Sequence, residues 1–300
     1  DHTNPNVAFC SIQYGDIRKS NDGGNSFYDV RPDPGNGAWI TPYVMDPNNN
    51  QIMYAGYYDI YKSTNNGDNW TLITSGLSGD LFRFMTVSKS NSAHLLAATY
   101  GTLYKSTNSG ANWTDITGSL PVGSASISGM CFDPDDENRI WVTFSGYQNS
   151  QKVYYSDNGG TSWTNFSGVL PNLPVNTIYY QEGSNDVLYV GTDVGVYFYT
   201  AATGTWQVYG TDLPNVIIMD LDIQYNQGVL RAASYGRGAW EIPMEPIALP
   251  TAQYTATPTS VCSNSFVDFT NTSLNASSYE WTFDGGTPST SFEANPSIQY

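Results

Sequence analysis

An eight-residue stretch occurs four times in this chain: SNDGGNSF at Ser20–Phe27, STNNGDNW at Ser63–Trp70, STNSGANW at Ser106–Trp113 and SDNGGTSW at Ser156–Trp163. The opening serines stand 43, 43 and 50 residues apart, and a worn fifth copy, TAATGTW at Thr200–Trp206, follows with its aligned Tyr199 another 43 residues on. A period in the forties restricts the chain to a repeat architecture, in which each unit is one supersecondary element that cannot bury its own apolar face. Asn, Asp and Gly tolerate left-handed backbone, and short Asx side chains bond backbone groups two residues on. Each copy therefore reads as a hairpin turn, and its closing aromatic residue starts the next strand.

The copies resemble the Asp box, or BNR repeat, with the pattern S-x-D-x-G-x-x-W found in sialidases, in the xyloglucanase family of glycoside hydrolases and in sortilin-like receptors. The matching positions are Ser20, Asp22, Gly24 and Phe27; Ser63, Asn65, Gly67 and Trp70; Ser106, Asn108, Gly110 and Trp113; and Ser156, Asn158, Gly160 and Trp163. Three Asn replace Asp and Phe27 replaces the first Trp, but Asn accepts the same local bonds. The resemblance implies an all-β fold, a β-propeller of four-stranded antiparallel blades, with these residues as structural turns on the blade periphery.

The intervening residues read accordingly. One full unit spans Ala38–Thr74, with strands expected over Trp39–Met45, Ile52–Tyr58, Ile60–Thr64 and Asn69–Thr74, bounded by Asp, Pro, Asn and Gly. Three more units repeat the pattern. Only strands two to four precede the first full unit, and only strands one to three follow the last. The total of 22 strands is two short of whole blades, and a propeller closes its ring to hide its edges. Upstream residues are expected to supply the missing strands, and the resemblance favours seven or eight blades. LRAASYGRGAWEI, at Leu230–Ile242, looks like the closing repeat of rings in secreted proteins of Bacteroidetes-type bacteria.

The composition changes after Met244. Residues 245–257 are Pro- and Thr-rich and read as an extended linker. Residues 258–300 resemble a PKD domain, an immunoglobulin-like β-sandwich with the hallmark Y-x-W-x-F-x-x-G, here Tyr279, Trp281, Phe283 and Gly286. Thr282 departs from the usual Asp, and the sequence stops before the last strands of the family pattern. The propeller is assigned to 1–244. The sequence begins at Asp1 with neither an initiator Met nor a signal peptide, so a processed or excerpted chain is expected.

With 11 basic against 27 acidic residues, a net charge of −16 and a pI near 4.1, the chain lacks the basic patch that nucleic acid or an anionic membrane surface requires. Cys10, Cys131 and Cys262 are too few and too scattered for a disulfide framework or a zinc site. No apolar run is long enough for a membrane-spanning helix. The acidic turn Asp133–Asn138 has the charge to attract Ca²⁺ but lacks the glycine and ligand register of a calcium loop, and it reads as a solvated turn; no cofactor or metal is expected.

In a propeller the links between second and third strands, together with the blade-to-blade crossings, share the face that carries ligand sites. Those links present Tyr14, Asp16, Tyr57, Tyr58, Asp59, Tyr100, Tyr147, Asp193, Tyr235 and Arg237, and the crossings add Asp33, Asp80, Arg83 and Asp212. Tyr faces stack on sugars while carboxylates accept from hydroxyls, which suits a carbohydrate surface, although the same repetition suits blade packing. Hydrolysis needs two facing carboxylates, for which Asp16, Asp59, Asp80 and Asp193 are the candidates. The arginines are too few and too committed for a sialidase-type clamp. The expected function is a non-catalytic binding or adhesion module of a large secreted or cell-surface bacterial protein, contacting polysaccharide or protein. The domain pairing resembles type IX secretion cargo, with a sorting domain downstream to meet the secretion machinery. A xyloglucanase-like glycoside hydrolase is the alternative.

Overall fold

The computed structural model describes residues 1–32, 36–210, 213–247, 251–274, 276 and 278–300. It divides into two compact units, Asp1–Met244 and Glu245–Tyr300. Among the described residues the first unit holds six antiparallel sheets in chain order. Sheet one holds Ala8–Ile12, Asp16–Ser20 and Tyr28–Asp29. Sheet two holds Tyr43–Asp46, Asn49–Gly56, Ile60–Ser63 and Thr71–Leu72. Sheet three holds Phe84–Val87, Leu95–Ala98, Leu103–Ser106 and Thr114–Asp115. Sheet four holds Ser126–Phe132, Ile140–Ser145, Val153–Ser156 and Thr164–Asn165. Sheet five holds Val175–Tyr180, Leu188–Thr192, Gly195–Tyr199 and Gln207–Tyr209. Sheet six holds Ile218–Gln224, Val229–Ser234 and Gly238–Pro243. In every sheet sequence neighbours are hydrogen-bonded neighbours, the order of a propeller blade.

Local chemistry makes each repeat a hairpin. Ser20 Oγ donates to Asp22 Oδ1 at 2.7 Å and accepts from Gly24 N–H at 2.9 Å, while Asp22 Oδ1 accepts from Ser26 N–H at 2.9 Å. The same three bonds recur around Ser63 and Asn65, Ser106 and Asn108, and Ser156 and Asn158. Asn thus makes the bonds of Asp through its amide oxygen. All four serines are buried. Asp22 differs in also accepting from Ser26 Oγ at 2.6 Å, and its bonds to Ser26 and Ser20 hold the carboxyl down at about 2.

The turns also lock sheet to sheet. The indole N–H of Trp70 donates to Val30 O at 2.6 Å, that of Trp163 to Ile116 O at 2.8 Å and that of Trp206 to Phe166 O at 2.9 Å, each reaching the preceding repeat. Trp113 instead donates to Gly110 O of its own turn. In the other direction, Lys19 Nζ meets Asp68 at 2.8 Å, Lys62 Nζ meets Ser109 O at 3.3 Å and Lys105 Nζ meets Glu137 O at 3.1 Å. The box glycines close the fit. Gly110, at φ +86°, would place a Cβ 2.6 Å from Ile73 Cδ1 of the preceding repeat. Between these pins, apolar clusters fill the seams, as where Trp141 and Val153 of sheet four meet Val175, Ile178 and Leu188 of sheet five.

Two expectations need correction. The strand expected over Trp39–Met45 begins only at Tyr43: Trp39 and Ile40 lie in a bend and are 59% and 69% exposed, because the crossing carries the chain over the face before pairing starts. The linker expected over 245–257 is shorter, since Tyr254–Thr257 alternates well enough to pair with Phe266–Asn271. In the second unit that pair is joined by Ser297–Gln299, and Trp281–Thr282 pairs with Thr290–Ser291. Val267, Phe283 and Ile298 are buried in it, the half-buried rings of Phe269 and Trp281 pack beside Phe283 with the exposed Tyr254 at their edge, and Gly286 leaves no room for a side chain beside Ile298.

Gly110→Ala combines a left-handed backbone with a blocked Cβ, so its cost should exceed that of Gly76→Ala, which has φ +67° but open space, by about 1–3 kcal/mol. Thermal unfolding of both measures the difference, and Ile73→Val in the Gly110→Ala background should recover part of it. Because the folded turn prefers ionised Asp22, this group's contribution is complete above the ordinary value of 3.8 and is lost as pH falls toward 2. Asp22→Asn should therefore flatten the acid limb of Tm against pH and leave the neutral plateau little changed.

Candidate functional site

Antiparallel order places the first-to-second turns and the box turns on one face, and the second-to-third links and sheet-to-sheet crossings on the other. Backbone bonds tie links to crossings: Gly37 N–H to Tyr14 O at 2.8 Å, Phe82 N–H to Tyr57 O at 2.8 Å, Ile127 N–H to Tyr100 O at 2.9 Å and Tyr235 N–H to Ile217 O at 2.8 Å. This link face therefore rests on the rigid stack, as a binding surface needs.

Five of the six proposed link tyrosines stand out from it. Tyr14, Tyr58, Tyr100, Tyr147 and Tyr235 are between 47% and 73% exposed. Tyr14 sits at φ 66° within a tight turn, a left-handed conformation that costs a non-glycine residue about 1–3 kcal/mol and that clusters at ligand sites. Its ring meets Trp39 edge-on, with centroids 5.4 Å apart. The Arg83 guanidinium lies over Tyr100, 4.6 Å from its centroid. Arg237 is exposed on the link after Tyr235. Trp39 escaped the sequence reading because it was placed inside a strand; the Pro-Gly-Asn-Gly run at 34–37 just before it is the signal for a loop.

Tyr57 is not a surface residue. It is 3% exposed, donates through its hydroxyl to Gly15 O at 2.5 Å and packs on Tyr61, so it joins sheet two to sheet one. Burial pushes its phenol far up. An alternating strand places consecutive residues on opposite sides, and the link turns Tyr58 outward as it turns Tyr57 in.

The four carboxylate candidates are spread over several sheets, each with a local bond. Asp16 receives both Nε and Nη2 of Arg18, at 3.2 and 3.0 Å, and this partner holds its carboxyl below the ordinary range, the reverse of what a general acid needs. Asp59 accepts from Thr74 Oγ1 and Gly76 N–H, Asp80 from Leu81 N–H, and Asp193 from Asn176 Nδ2 at 3.1 Å. Asp33 and Asp212 lie outside the described residues. Among the described residues the carboxyl whose proton affinity rises is Asp220, on the innermost strand of sheet six, raised mainly by desolvation although solvent reaches it.

Asp220 follows a register shift between Ile218 and Asp220, and the innermost strands of sheets four and five shift at Ile127/Gly129 and Val175/Thr177. Such bulges re-aim side chains. Ser128 Oγ reaches Val175 O at 2.6 Å, and Asn176 Nδ2 reaches Ile218 O at 3.2 Å as well as Asp193. Asn176 thereby ties the Asp193 link of sheet five to the backbone of sheet six two residues before Asp220.

In the turn Asp133–Asn138, Asp133 binds Arg139 at 2.6 Å and the N–H of Asp135, and Asp136 accepts from Asn138 N–H. Among the described residues no group of three His, Cys, Asp or Glu is placed to hold a metal ion. No helix among them is long and apolar enough to cross a membrane.

Tyr57→Phe should lower the unfolding free energy by about 1–2 kcal/mol by leaving Gly15 O without its donor. Tyr58→Ala should stay within about 0.5 kcal/mol of the wild type. Denaturant titration of the two variants checks this.

Known proteins share this architecture. A family model for sortilin, the neurotensin receptor 3 or Vps10 type, matches residues 58–170. A glycoside hydrolase family 74 enzyme from Niastella koreensis superposes with a TM-score of 0.63 at 18% identity, covering 90% of this chain and 42% of its own. The extracellular domain of a one-component system protein from B. thetaiotaomicron superposes at 0.59 with 16% identity, covering 88% and 36%. YCF48 from Cyanidioschyzon merolae superposes at 0.54 with 16% identity, covering 79% and 78%. No curated protein matches the chain. The chain spans less than half the length of the first two of these structures, and the likeness is one of fold: an all-β chain with β-propeller blades.

Proposed function

We propose that the link face is a non-catalytic carbohydrate-binding surface of a secreted or cell-surface bacterial protein. The carrying observation is the set of exposed aromatic residues on the links and crossings of that face: Tyr14 with Trp39, Tyr58, Tyr100, Tyr147 and Tyr235. Exposed rings on a rigid frame stack on sugar faces with little ordering cost, and a polysaccharide is long enough to cross several links. Such a module serves adhesion. The second unit, with its Tyr279, Trp281, Phe283 and Gly286 motif and its packed aromatic rings, supports a PKD-like reading of the stretch expected at 258–300, extended at its start by the pairing of Tyr254–Thr257. That pairing fits cargo of type IX secretion, and the extracellular location of the B. thetaiotaomicron relative agrees with an extracellular chain.

The glycoside hydrolase reading rests on one observation, the raised carboxyl of Asp220 on the innermost strand of sheet six, to which Asn176 joins the Asp193 link, together with the fold shared with family 74 enzymes. It makes Asp220 the acid and Asp193 the base or nucleophile.

A glycan-array screen of the chain, paired with reducing-sugar release on every glycan that binds, separates the two. Binding without release is expected, with affinity falling about tenfold or more in Trp39→Ala. Release abolished by Asp220→Asn would overturn the non-catalytic reading, and no binding to any glycan would overturn the carbohydrate reading.

A further inference from the structure

Among the described residues Arg18, Arg31, Arg139 and Arg231 each bind a carboxylate, at distances between 2.6 and 3.1 Å. In the same set Arg83 meets neither a carboxylate nor a carbonyl. It is half-buried, its guanidinium rests over Tyr100, and its Nε is buried with no acceptor. A stranded donor of this kind costs on the order of 1–3 kcal/mol, and a methionine would cover Tyr100 without that cost. The carboxylates at hand do not relieve it. Asp80, three residues earlier in the same crossing, accepts from Leu81 N–H at 2.7 Å, and Asp59, on the adjoining link, accepts from Thr74 Oγ1 and Gly76 N–H.

The crossing that carries Arg83 is bonded to two links at once. Phe82 N–H donates to Tyr57 O at 2.8 Å, next to the exposed Tyr58, and Arg83 N–H donates to Ala98 O at 2.7 Å, just before the link that holds Tyr100. That second link is fixed in turn. Thr99 Oγ1 accepts from Gly101 N–H at 3.2 Å and from Thr102 N–H at 3.0 Å, and Ile127 N–H of the next crossing donates to Tyr100 O. The backbone of Arg83 is therefore held from both sides, and its head is held by a ring whose own turn is locked. Little ordering cost is left for the moment of binding.

A guanidinium presents N–H donors in one rigid plane and no acceptor, so its counterpart is a pair of neighbouring oxygens. A carboxylate or phosphate offers such a pair, but it would approach a chain of net charge −16 and come to a surface that carries Asp59 and Asp80. Two hydroxyls on adjacent carbons of a sugar ring offer the same pair without charge. Each hydroxyl can also donate to a carboxylate oxygen while it accepts from the arginine, which makes acidic surroundings an advantage.

We propose that Arg83 is the polar anchor of the link face and takes a vicinal diol of a neutral glycan, with its terminal nitrogens donating to the two oxygens. Tyr58 supplies an apolar contact to the sugar. Tyr100 is a positioning residue, since the ring face that Arg83 covers holds the guanidinium and not the ligand. The inference rests on the carbohydrate reading of this face and adds which sugars it accepts.

Titration calorimetry of the 300-residue chain with three soluble polysaccharides tests it: galactomannan, neutral and with vicinal diols on every sugar; laminarin, a neutral 1,3-linked glucan whose chain residues have none; and polygalacturonate, which adds a carboxylate to the diol. The wild type should bind galactomannan more tightly than either of the others. Arg83→Met, which still covers Tyr100, should weaken galactomannan at least about tenfold, and Arg83→Lys, a point charge without the fork, should not restore it. Tyr100→Phe should bind as the wild type does, whereas Tyr100→Leu should lose affinity in the same direction as Arg83→Met. A folded Arg83→Met that binds galactomannan within about twofold of the wild type overturns the proposal. So does tighter binding of laminarin or polygalacturonate than of galactomannan. If Arg83→Met does not fold, Arg83→Lys decides, and wild-type affinity in that variant overturns the proposal. Binding of none of the three overturns the carbohydrate reading and this inference together, whereas binding that ignores Arg83 overturns this inference alone.

Discussion

The hydrogen bond from a box indole to the backbone of the preceding repeat is the contact on which the stack depends. A four-stranded sheet of this size cannot bury its apolar faces alone, so each blade is stable only against its neighbours. The seams must therefore be fixed in register as well as filled. Trp70, Trp163 and Trp206 do this by placing a directional donor at an otherwise apolar contact, where a misplaced sheet would leave the indole N–H unsatisfied. The lysines ahead of the box work in the opposite direction, from the preceding sheet onto the next turn. A pin in each direction makes sliding costly.

That division explains why the two faces differ in character. The box face is consumed by internal bonds, with serine hydroxyls, Asx oxygens and glycine N–H groups paired among themselves. The link face is held mainly by backbone bonds between links and crossings, which leaves its side chains available. The strained Tyr14 illustrates the consequence: Gly37 donates to its carbonyl, Tyr57 to the carbonyl of Gly15, and the ring is turned outward against Trp39.

Much of this was legible in the sequence because a hydrogen-bonded turn with a fixed period announces itself. The boxes marked every third-to-fourth strand turn, and alternation supplied the remaining strands of all six sheets. What the sequence could not show was orientation at the links, where one residue decides inside or outside: Tyr57 and Tyr58 look alike as letters and differ entirely in burial. Trp39 was hidden for a related reason, since a large aromatic residue before a β-branched run fits a strand by propensity, yet the crossing geometry delays pairing until Tyr43. Asp220 was hidden inside an apolar run, and only the bulge before it sets it apart.

The basic residues narrow what the link face can recognise. Of the eleven, Lys19, Lys62, Lys105 and Lys152 are committed to Asp68 or to backbone carbonyls, while Arg18, Arg31, Lys89, Arg139 and Arg231 are bound in ion pairs with carboxylates. On the link face this leaves Arg83, already stacked over Tyr100, and Arg237. An anionic ligand needs a forked or clustered set of cations, and a net charge of −16 opposes its approach from a distance. Aromatic rings with few free charges suit a ligand that offers apolar C–H faces and hydroxyls but no charge, so the carbohydrate proposed for this face is a neutral one.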